Sequence, residues 1–401
     1  MISLRIDTIS VQTEENISVL KAALAAGIPL THLCADEISG VKGNCGLCLV
    51  EIEGREGLFR ACETLVEDGM NVLTDTPAVR QAVKVRAARL FAAHPADCSA
   101  CSKTGGCVIQ KICAKYRPGL ASMQRTGRKR KLLDWIECDD EKCVKCGRCA
   151  AFLKKSGIGD GKTMPPVSCP SFPLSGTLAD ICPSGALTET MREWNGAWEI
   201  KRVQSIDVTD CMGTKTDVQV ADGRIIRATP FESDGLLSDK ARFCLDGLSA
   251  NRLDRPYRRV GGRLEECSWT EALAVAADKI KTVPAAKMAG LIGDYADCEA
   301  MLALHDIFAL KGAKAIDARP AEEMYFDVKS RQSYLFNTPF SRIGEADALL
   351  CIGADIDALA PALAFLLRQN PMPKMFIGKK PEAGLPYEVL SEKLSVLKDI
   401  F

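Results

Sequence analysis

The chain has 401 residues, of which 47% are hydrophobic and 26% are charged. This composition is ordinary for a globular protein and excludes a disordered or fibrous chain. The 52 basic and 52 acidic residues cancel, so the overall charge gives no argument for a nucleic-acid or anionic-membrane partner. We therefore expect no nucleic-acid partner. No stretch approaches the ~18 apolar residues of a membrane span, so we also expect no direct membrane insertion.

The nineteen cysteines are the most unusual part of the composition. The start of the chain, Met1 to Asp7, has no uninterrupted apolar segment, so we expect no signal peptide and a reducing compartment. In such a compartment, clustered thiols favour metal ligation over disulfides. Sulfur and imidazole ligands suit zinc or iron-sulfur clusters better than magnesium or calcium.

The first segment, residues 1–78, begins with an alternating pattern that predicts a strand, followed by an apolar helix, Val19 to Ala26. A loop and a hairpin then carry four cysteines: Cys34, Cys45, Cys48 and Cys62. Their spacing differs from the paired knuckles of zinc sites and is closer to that of [2Fe-2S] ferredoxins. Glycines in the loop would allow the positive φ needed to wrap the backbone around a metal-bound sulfur: Gly40, Gly43 and Gly46.

The second segment, residues 79–120, has a helical pattern that breaks at Pro95. One imidazole and three thiols follow with the spacing His-x3-Cys-x2-Cys-x5-Cys: His94, Cys98, Cys101 and Cys107. Because the chain has only three histidines, one at this spacing is better explained as a ligand than as a structural residue. We predict a second four-ligand site here.

The third segment, residues 121–200, places three thiols within seven residues: Cys143, Cys146 and Cys149. A ferredoxin-type [4Fe-4S] site combines such a triplet with a remote Cys-Pro. Both Cys182-Pro183 and Cys169-Pro170 meet that description, and we prefer Cys182 as the fourth ligand. Cys138 also lies close to the triplet.

The last part of the chain has a different pattern. Residues 201–260 predict a small β-rich region with a hairpin through Asp222-Gly223. Residues 261–401 begin with a capping box at Ser268 and then alternate strands with helices. This alternation predicts a parallel α/β sheet.

The three cysteine motifs in this order, with Gly105-Gly106 before Cys107 and Asp180 to Thr188 around Cys182, resemble the large iron-sulfur subunits of respiratory complex I, NADH:quinone oxidoreductase. The segment Ala346 to Gly353 is similar to the family's molybdopterin-oxidoreductase-like domain. Many relatives carry a further [4Fe-4S] site whose ligand positions correspond here to non-cysteine residues: Asp207, Asp210, Thr214 and Ser238. We therefore expect that site to be lost.

The resemblance implies an α+β and α/β multidomain fold. Its parts are a β-grasp [2Fe-2S] ferredoxin domain (1–78), a helical [4Fe-4S] domain with one histidine and three cysteine ligands (79–120), a ferredoxin-like [4Fe-4S] domain (121–200), a small β-rich domain (201–260) and a truncated molybdopterin-oxidoreductase-like domain (261–401). It implies one [2Fe-2S] cluster at Cys34 to Cys62 and [4Fe-4S] clusters at His94 to Cys107 and at Cys143 to Cys182. Because the α/β part is short for the family, we expect no molybdopterin.

By the same resemblance, the chain transfers single electrons from the flavin of an NADH-oxidising partner subunit toward quinone. Its partners would be that NADH/FMN-binding subunit and other peripheral-arm subunits. It would lie on the cytoplasmic side of a bacterial inner membrane, or on the matrix side in mitochondria. The residues show no dinucleotide-binding glycine motif and no nucleophile paired with a base, so we assign no catalytic residues.

Two alternatives remain open from the sequence. The first is the iron-sulfur diaphorase subunit of a soluble NAD-linked hydrogenase or a formate dehydrogenase, which shares the amino-terminal motifs. The second is a structural protein that binds zinc at the same cysteines. Metal and sulfide content separates zinc from clusters, because only clusters contain inorganic sulfide.

Overall fold

The computed structural model describes the chain except for residues 93, 96, 118–128, 165, 191–197, 232–234, 249, 294–295, 319–328, 331–337, 380–383 and 401. The chain forms two compact units, one of Met1–Leu245 with Gly344–Phe401 and the other of Asp246–Ile343. In the described part of the chain, no helix combines the length and apolar character that crossing a membrane requires.

The amino-terminal part is a mixed sheet packed against one helix. Its elements are β1 (Ile2–Ile6), β2 (Ile9–Thr13), α1 (Val19–Ala25), β3 (Leu49–Ile52), β4 (Phe59–Arg60) and β5 (Asn71–Leu73). The strand order is β2-β1-β5-β3-β4, with β1 parallel to β5 and the other neighbours antiparallel. The side chain of Ser18 caps α1 by accepting a hydrogen bond from the Lys21 amide. The apolar face of α1 covers the sheet, and Cys48 and Cys62 lie in this core.

Helices and a small antiparallel sheet follow. Their elements are α2 (Pro77–Ala92), α3 (Val108–Tyr116), β6 (Lys129–Leu133), β7 (Ile136–Asp139), α4 (Arg148–Lys155), α5 (Thr177–Ile181) and β8 (Leu187–Glu189). The strands pair in the order β6-β7-β8. Phe152 on α4 is fully buried in a core that also contains Ile136, Leu178 and Leu187. This core holds the loops on either side of α4 and α5 in place.

The predicted hairpin is present in the next segment. Its elements are β9 (Lys201–Ile206), β10 (Lys215–Ala221), β11 (Arg224–Pro230) and α6 (Asp239–Phe243). Strands β10 and β11 pair antiparallel across Asp222 and Gly223, which have φ values of 48° and 73°. Positive φ at both central residues is what a tight type I′ hairpin turn requires.

The second compact unit contains β12 (Tyr257–Val260), β13 (Arg263–Glu266), α7 (Trp269–Thr282), β14 (Ala289–Leu291), α8 (Cys298–Lys311) and β15 (Ala315–Asp317). The predicted capping box at the start of α7 is confirmed: Ser268 and Glu271 each bond the other's backbone amide. Strands β14 and β15 pair in parallel.

The carboxy-terminal elements belong to the first unit. They are β16 (Leu349–Ile352), α9 (Ile356–Leu359), α10 (Pro361–Gln369), β17 (Lys374–Ile377), β18 (Glu388–Ser391) and α11 (Leu397–Ile400). Helix α10 packs on α4, where the rings of Phe365 and Phe152 lie 5.3 Å apart. The Gln369 amide also donates to the Lys155 carbonyl at 3.0 Å.

The predicted parallel pairing of strands is present in this region, but the described strands form two sheets and not one. Strands β16, β17 and β18 form a parallel sheet in one unit, whereas β14 and β15 form a separate pair in the other. Local alternation of strands and helices predicts the type of each element, but it does not specify which strands become neighbours. Strand β18 was missed because its short sequence, Glu-Val-Leu-Ser, has no clear apolar alternation.

Candidate metal centres

The first four cysteines lie on the loop after α1 and on the β3-β4 hairpin. Cys34, Cys48 and Cys62 are buried and Cys45 is half-buried. The three loop glycines all have positive φ, as predicted from the need to turn the loop sharply: Gly40, Gly43 and Gly46. At Gly46 a Cβ would also lie 3.3 Å from the Arg86 guanidinium. The loop carries three of the four thiols, and Cys62 lies just beyond the end of β4.

These four thiols form two pairs. The Cys45 amide donates to the Cys34 sulfur at 3.4 Å. A hydrogen bond from the Cys45 thiol lowers the pKa of Cys34 to about 5, and the same bond raises the pKa of Cys45. A hydrogen bond between the Cys48 and Cys62 thiols lowers the pKa of Cys48 and raises that of Cys62. Two pairs of thiols fit a cluster with two irons and four cysteine ligands.

The second set surrounds the end of α2 and the start of α3. His94 is buried, and its Nδ1 atom has no hydrogen-bond partner among the described residues. Burial lowers the pKa of this imidazole, and the nearby Lys142 ammonium lowers it further, so the ring is neutral at pH 7. A buried, unbonded nitrogen carries a desolvation cost that a metal bond would remove. Cys101 and Cys107 are also buried, and Cys98 is exposed.

The third set lines a small apolar cavity. All four predicted ligands border it: Cys143, Cys146, Cys149 and Cys182. The Leu187 amide donates to the Cys182 sulfur at 3.3 Å, which is the kind of bond that stabilises a metal-bound thiolate. Burial raises the pKa of Cys146 and of Cys149 to about 12. Without a metal these thiols are protonated at pH 7, so binding a cation releases protons.

Cys169 and Cys138, the two other cysteines considered near the third set, have different surroundings. Cys169 does not border the cavity among the lining residues that the structure describes. The Cys138 thiol donates to Asp140 at 3.2 Å, and the Arg130 guanidinium lies 3.5 Å from its sulfur. These placements favour Cys182 as the fourth member of the third set.

In the described residues, no group of three or more histidine, cysteine, aspartate or glutamate side chains is arranged around a single metal-ion position. A larger cavity of about 670 Å³ lies elsewhere in the first unit. Its described lining includes none of the twelve predicted ligands. The fit to iron-sulfur clusters therefore rests on the paired thiols, the unbonded His94 nitrogen and the four-thiol cavity.

A buried arginine joins the first and third sets. Arg148, which directly precedes Cys149, forms an ion pair with Asp36 at 3.1 Å. Its guanidinium also donates to the carbonyl oxygens of Ala35 at 2.8 Å and of Ile181 at 3.4 Å. Ala35 follows Cys34 of the first set, and Ile181 precedes Cys182 of the third set. The Arg148 side chain therefore holds the loops of both sets.

The loop after Cys182 joins the third set to the second. The Pro183 carbonyl accepts hydrogen bonds from the Cys107 thiol at 3.5 Å and from the Val108 amide at 3.1 Å. At Gly185, which has a φ of +72°, an added Cβ would lie 3.2 Å from the Cys101 sulfur. The loop that carries one ligand of the third set therefore forms part of the wall of the second.

A further buried arginine supports this region from the other side. The Arg242 side chain is fully buried and forms ion pairs with Asp180 and with Glu189, the latter at 3.1 Å. It also donates to the Ala228 carbonyl at 2.9 Å. Burial opposes its charge, but the two carboxylates outweigh burial and raise the pKa of Arg242 above its ordinary value.

The sequence interpretation did not identify these cations. Arg148 and Lys142 each directly precede a cysteine of the third motif, and that adjacency was the available signal. Nothing local marks Arg242, because its two carboxylate partners lie more than fifty residues earlier in the chain.

Comparisons with known proteins cover the segments of the first two motifs and the last part of the chain. Three family models match: a 2Fe-2S iron-sulfur cluster binding domain over residues 1–77, the iron-sulfur binding region of NADH-ubiquinone oxidoreductase-G over residues 87–119, and molybdopterin oxidoreductase over residues 252–401. These matches confirm a [2Fe-2S]-type domain at the amino terminus and a molybdopterin-oxidoreductase domain later in the chain.

Among similar proteins, the NADH-quinone oxidoreductase G subunit of Rickettsia felis is 34% identical over 382 residues, covering 90% of this chain and 57% of the relative. The NADH-ubiquinone oxidoreductase 75 kDa subunit of Reclinomonas americana is 27% identical, covering 92% of this chain and 58% of the relative. The chain thus spans little more than half the length of these relatives. A solved chain from an NAD+-reducing [NiFe]-hydrogenase is 24% identical with a TM-score of 0.40, covering 47% of this chain and 88% of that one; this similarity is too low to support an argument.

Proposed function

Because this chain is homologous to the NADH-quinone oxidoreductase G subunit over nine-tenths of its own length, we propose that it is an electron-transfer subunit of that enzyme. It takes single electrons from the flavin of an NADH-oxidising partner subunit and passes them toward quinone. The subunit is a peripheral part of the enzyme on the cytoplasmic or matrix side of the membrane. Its partners are the NADH/FMN-binding subunit and other peripheral-arm subunits. The subunit has no complete catalytic site of its own.

The proposed cofactors are one [2Fe-2S] cluster and two [4Fe-4S] clusters. The ligands are Cys34, Cys45, Cys48 and Cys62 for the first; His94, Cys98, Cys101 and Cys107 for the second; and Cys143, Cys146, Cys149 and Cys182 for the third. Bound clusters supply one-electron chemistry, and the protein sets their spacing, solvation and hydrogen bonding. The proposal includes no molybdopterin. It keeps the five domains of residues 1–78, 79–120, 121–200, 201–260 and 261–401.

The observation that carries the proposal is the continuous contact between the three ligand sets. Arg148 bonds to residues beside Cys34 and beside Cys182. The Pro183 carbonyl next to Cys182 then bonds to Cys107 of the second set. This connectivity supports the order first set, third set, second set for electron transfer, because successive sites share a wall.

The residues of this chain have three tasks in that transfer. The loop glycines and buried thiols hold the ligand sulfurs in position. The apolar core around Phe152 excludes water from the third set. Backbone amides such as that of Leu187 donate to ligand sulfur and stabilise its negative charge. Together these features keep each site rigid, which limits the rearrangement that a change of charge would cause.

The test is the content of iron, acid-labile sulfide, zinc and molybdenum in anaerobically purified protein. One [2Fe-2S] and two [4Fe-4S] clusters predict about ten irons and about ten sulfides per chain, without molybdenum. Replacing Cys48 by serine should reduce the iron content and abolish the [2Fe-2S] electron paramagnetic resonance signal of reduced protein. Replacing Cys113, a half-buried thiol outside the three sets, by serine is the matched control and should change neither. About three zincs without sulfide would refute the electron-transfer function.

A further inference from the structure

Lys142 is a buried cation placed between the second and third sets. It ends the short helical turn Asp140–Lys142 and directly precedes Cys143, the first ligand of the third set. Its side chain is only 4% exposed. A lysine is rarely buried to this extent without partners for its charge.

The ammonium group of Lys142 points to the second set and not to the set that its backbone adjoins. Its Nζ atom lies 3.1 Å from the carboxylate of Asp97, which directly precedes Cys98 of the second set. Cys101 of the same set is also close enough to attract the ammonium charge. Lys142 therefore places a buried positive charge beside one set of ligands while its backbone holds a ligand of the next.

A positive charge at this position has a defined electrostatic consequence. Reduction of a cluster adds one electron, here supplied by the titrant, and makes the cluster more negative. A buried ammonium beside the ligands stabilises that reduced form, because the attraction is weakly screened away from water. Asp97 offsets part of this effect, but its side chain is 22% exposed and is better screened than that of Lys142.

Resting on the cluster assignment of the proposed function, we propose that Lys142 is a positioning residue that raises the reduction potential of the cluster held by His94, Cys98, Cys101 and Cys107. It thereby favours electron transfer from the third set to the second. A purely structural lysine would hold the two loops together without affecting this potential, so the potential distinguishes the two roles.

The experiment is a potentiometric titration of the whole protein, followed by electron paramagnetic resonance of the second cluster. In Lys142→Met the ratio of reduced to oxidised cluster at a fixed potential should fall about tenfold, which is about 59 mV for a one-electron couple. Lys142→Arg keeps the charge and should restore most of the wild-type ratio. Lys111→Met removes the same charge from the exposed side of α3 and should change the ratio little, because water screens that position.

A second variant keeps the inference testable where Lys142→Met does not retain the cluster. Asp97→Asn removes the carboxylate that partly neutralises Lys142, so the ratio of reduced to oxidised cluster should rise. An unchanged ratio in Lys142→Met with the cluster signal intact, or the absence of a rise in Asp97→Asn, would overturn the role of Lys142 and leave the proposed function standing. Wild-type protein without any [4Fe-4S] signal would instead refute the proposed function itself.

Discussion

Replacing Arg242 by methionine tests how strongly the buried ion pairs hold the third set in place. The Arg242 side chain is 0% exposed and pairs with Asp180, two residues before Cys182, and with Glu189, whose side chain is 6% exposed. Methionine fills much of the volume but leaves the buried Glu189 and the partly exposed Asp180 without their cation. Breaking a buried pair in this way costs about 3–5 kcal/mol. Since about 1.4 kcal/mol corresponds to a tenfold change, the unfolding equilibrium should shift by a factor of roughly 10² to 4 × 10³.

Unfolding releases bound clusters irreversibly, so the suitable assay is a rate. We expect the visible absorbance of the clusters to decay at least about tenfold faster in Arg242→Met than in wild type at the same guanidinium concentration, because only part of the destabilisation appears in the unfolding rate. Arg255→Met is the matched control: Arg255 also has two carboxylate partners, at 2.9 and 3.0 Å, but its side chain is 50% exposed. Pairs at the surface contribute little, so its decay rate should stay within about twofold of wild type.

Adding Asp180→Asn and Glu189→Gln to Arg242→Met should recover much of the lost stability, since the cost comes from unpaired charges. The reasoning would be refuted by an Arg242→Met variant that decays as slowly as the Arg255→Met control. Failure of the triple variant to recover would place the cost in lost packing against Gly176, where an added Cβ would lie 2.2 Å from the Arg242 Nε atom.

Three further changes address the ligands and the loop between them. His94→Cys replaces a neutral ligand by an anionic thiolate and should lower the potential of the second cluster in a potentiometric titration; an unchanged potential with the cluster intact would show that solvation and hydrogen bonding dominate. Cys182→Ala should remove the third cluster's resonance signal while Cys169→Ala retains it, and the opposite pattern would move the fourth ligand to Cys169. Gly185→Ala should destabilise the protein by about 1 kcal/mol or more, seen as faster cluster loss, because φ is +72° and the added Cβ would lie 3.2 Å from a sulfur of the second set. Gly223→Ala has a similar φ of +73° with open space around it, so a loss as large as that at Gly185 would contradict a role for the close contact.

Sequence reasoning reaches furthest where the signal is local. The three sets of ligands stay a prediction from cysteine spacing, and the structure places the four members of the third set, Cys143 to Cys182, around one cavity. The hairpin at Asp222-Gly223 and the capping box at Ser268 depend on residues within four positions of each other, and both are present. The hairpin and the capping box are determined by short-range geometry that a sequence displays directly.

Features that depend on distant parts of the chain were not predictable in the same way. The packing of Phe365 on Phe152 joins residues more than two hundred positions apart. The Arg148 side chain reaches the first set as well as its own third set, and the Lys142 side chain reaches the second set; no periodicity encodes these directions. A charged residue in a sequence is expected at the surface, so the burial of both cations became apparent only from the fold.

The loop from Cys182 to Gly185 has a consequence for how the protein acquires its metal. The Leu187 amide holds the Cys182 sulfur, and the Pro183 carbonyl next to it accepts a hydrogen bond from Cys107 of the second set. A metal bound by Cys182 would fix this loop further and would thereby steady one wall of the second site. We therefore expect the two sites to load cooperatively, so that chains carrying only one of the two clusters are scarce among newly made protein.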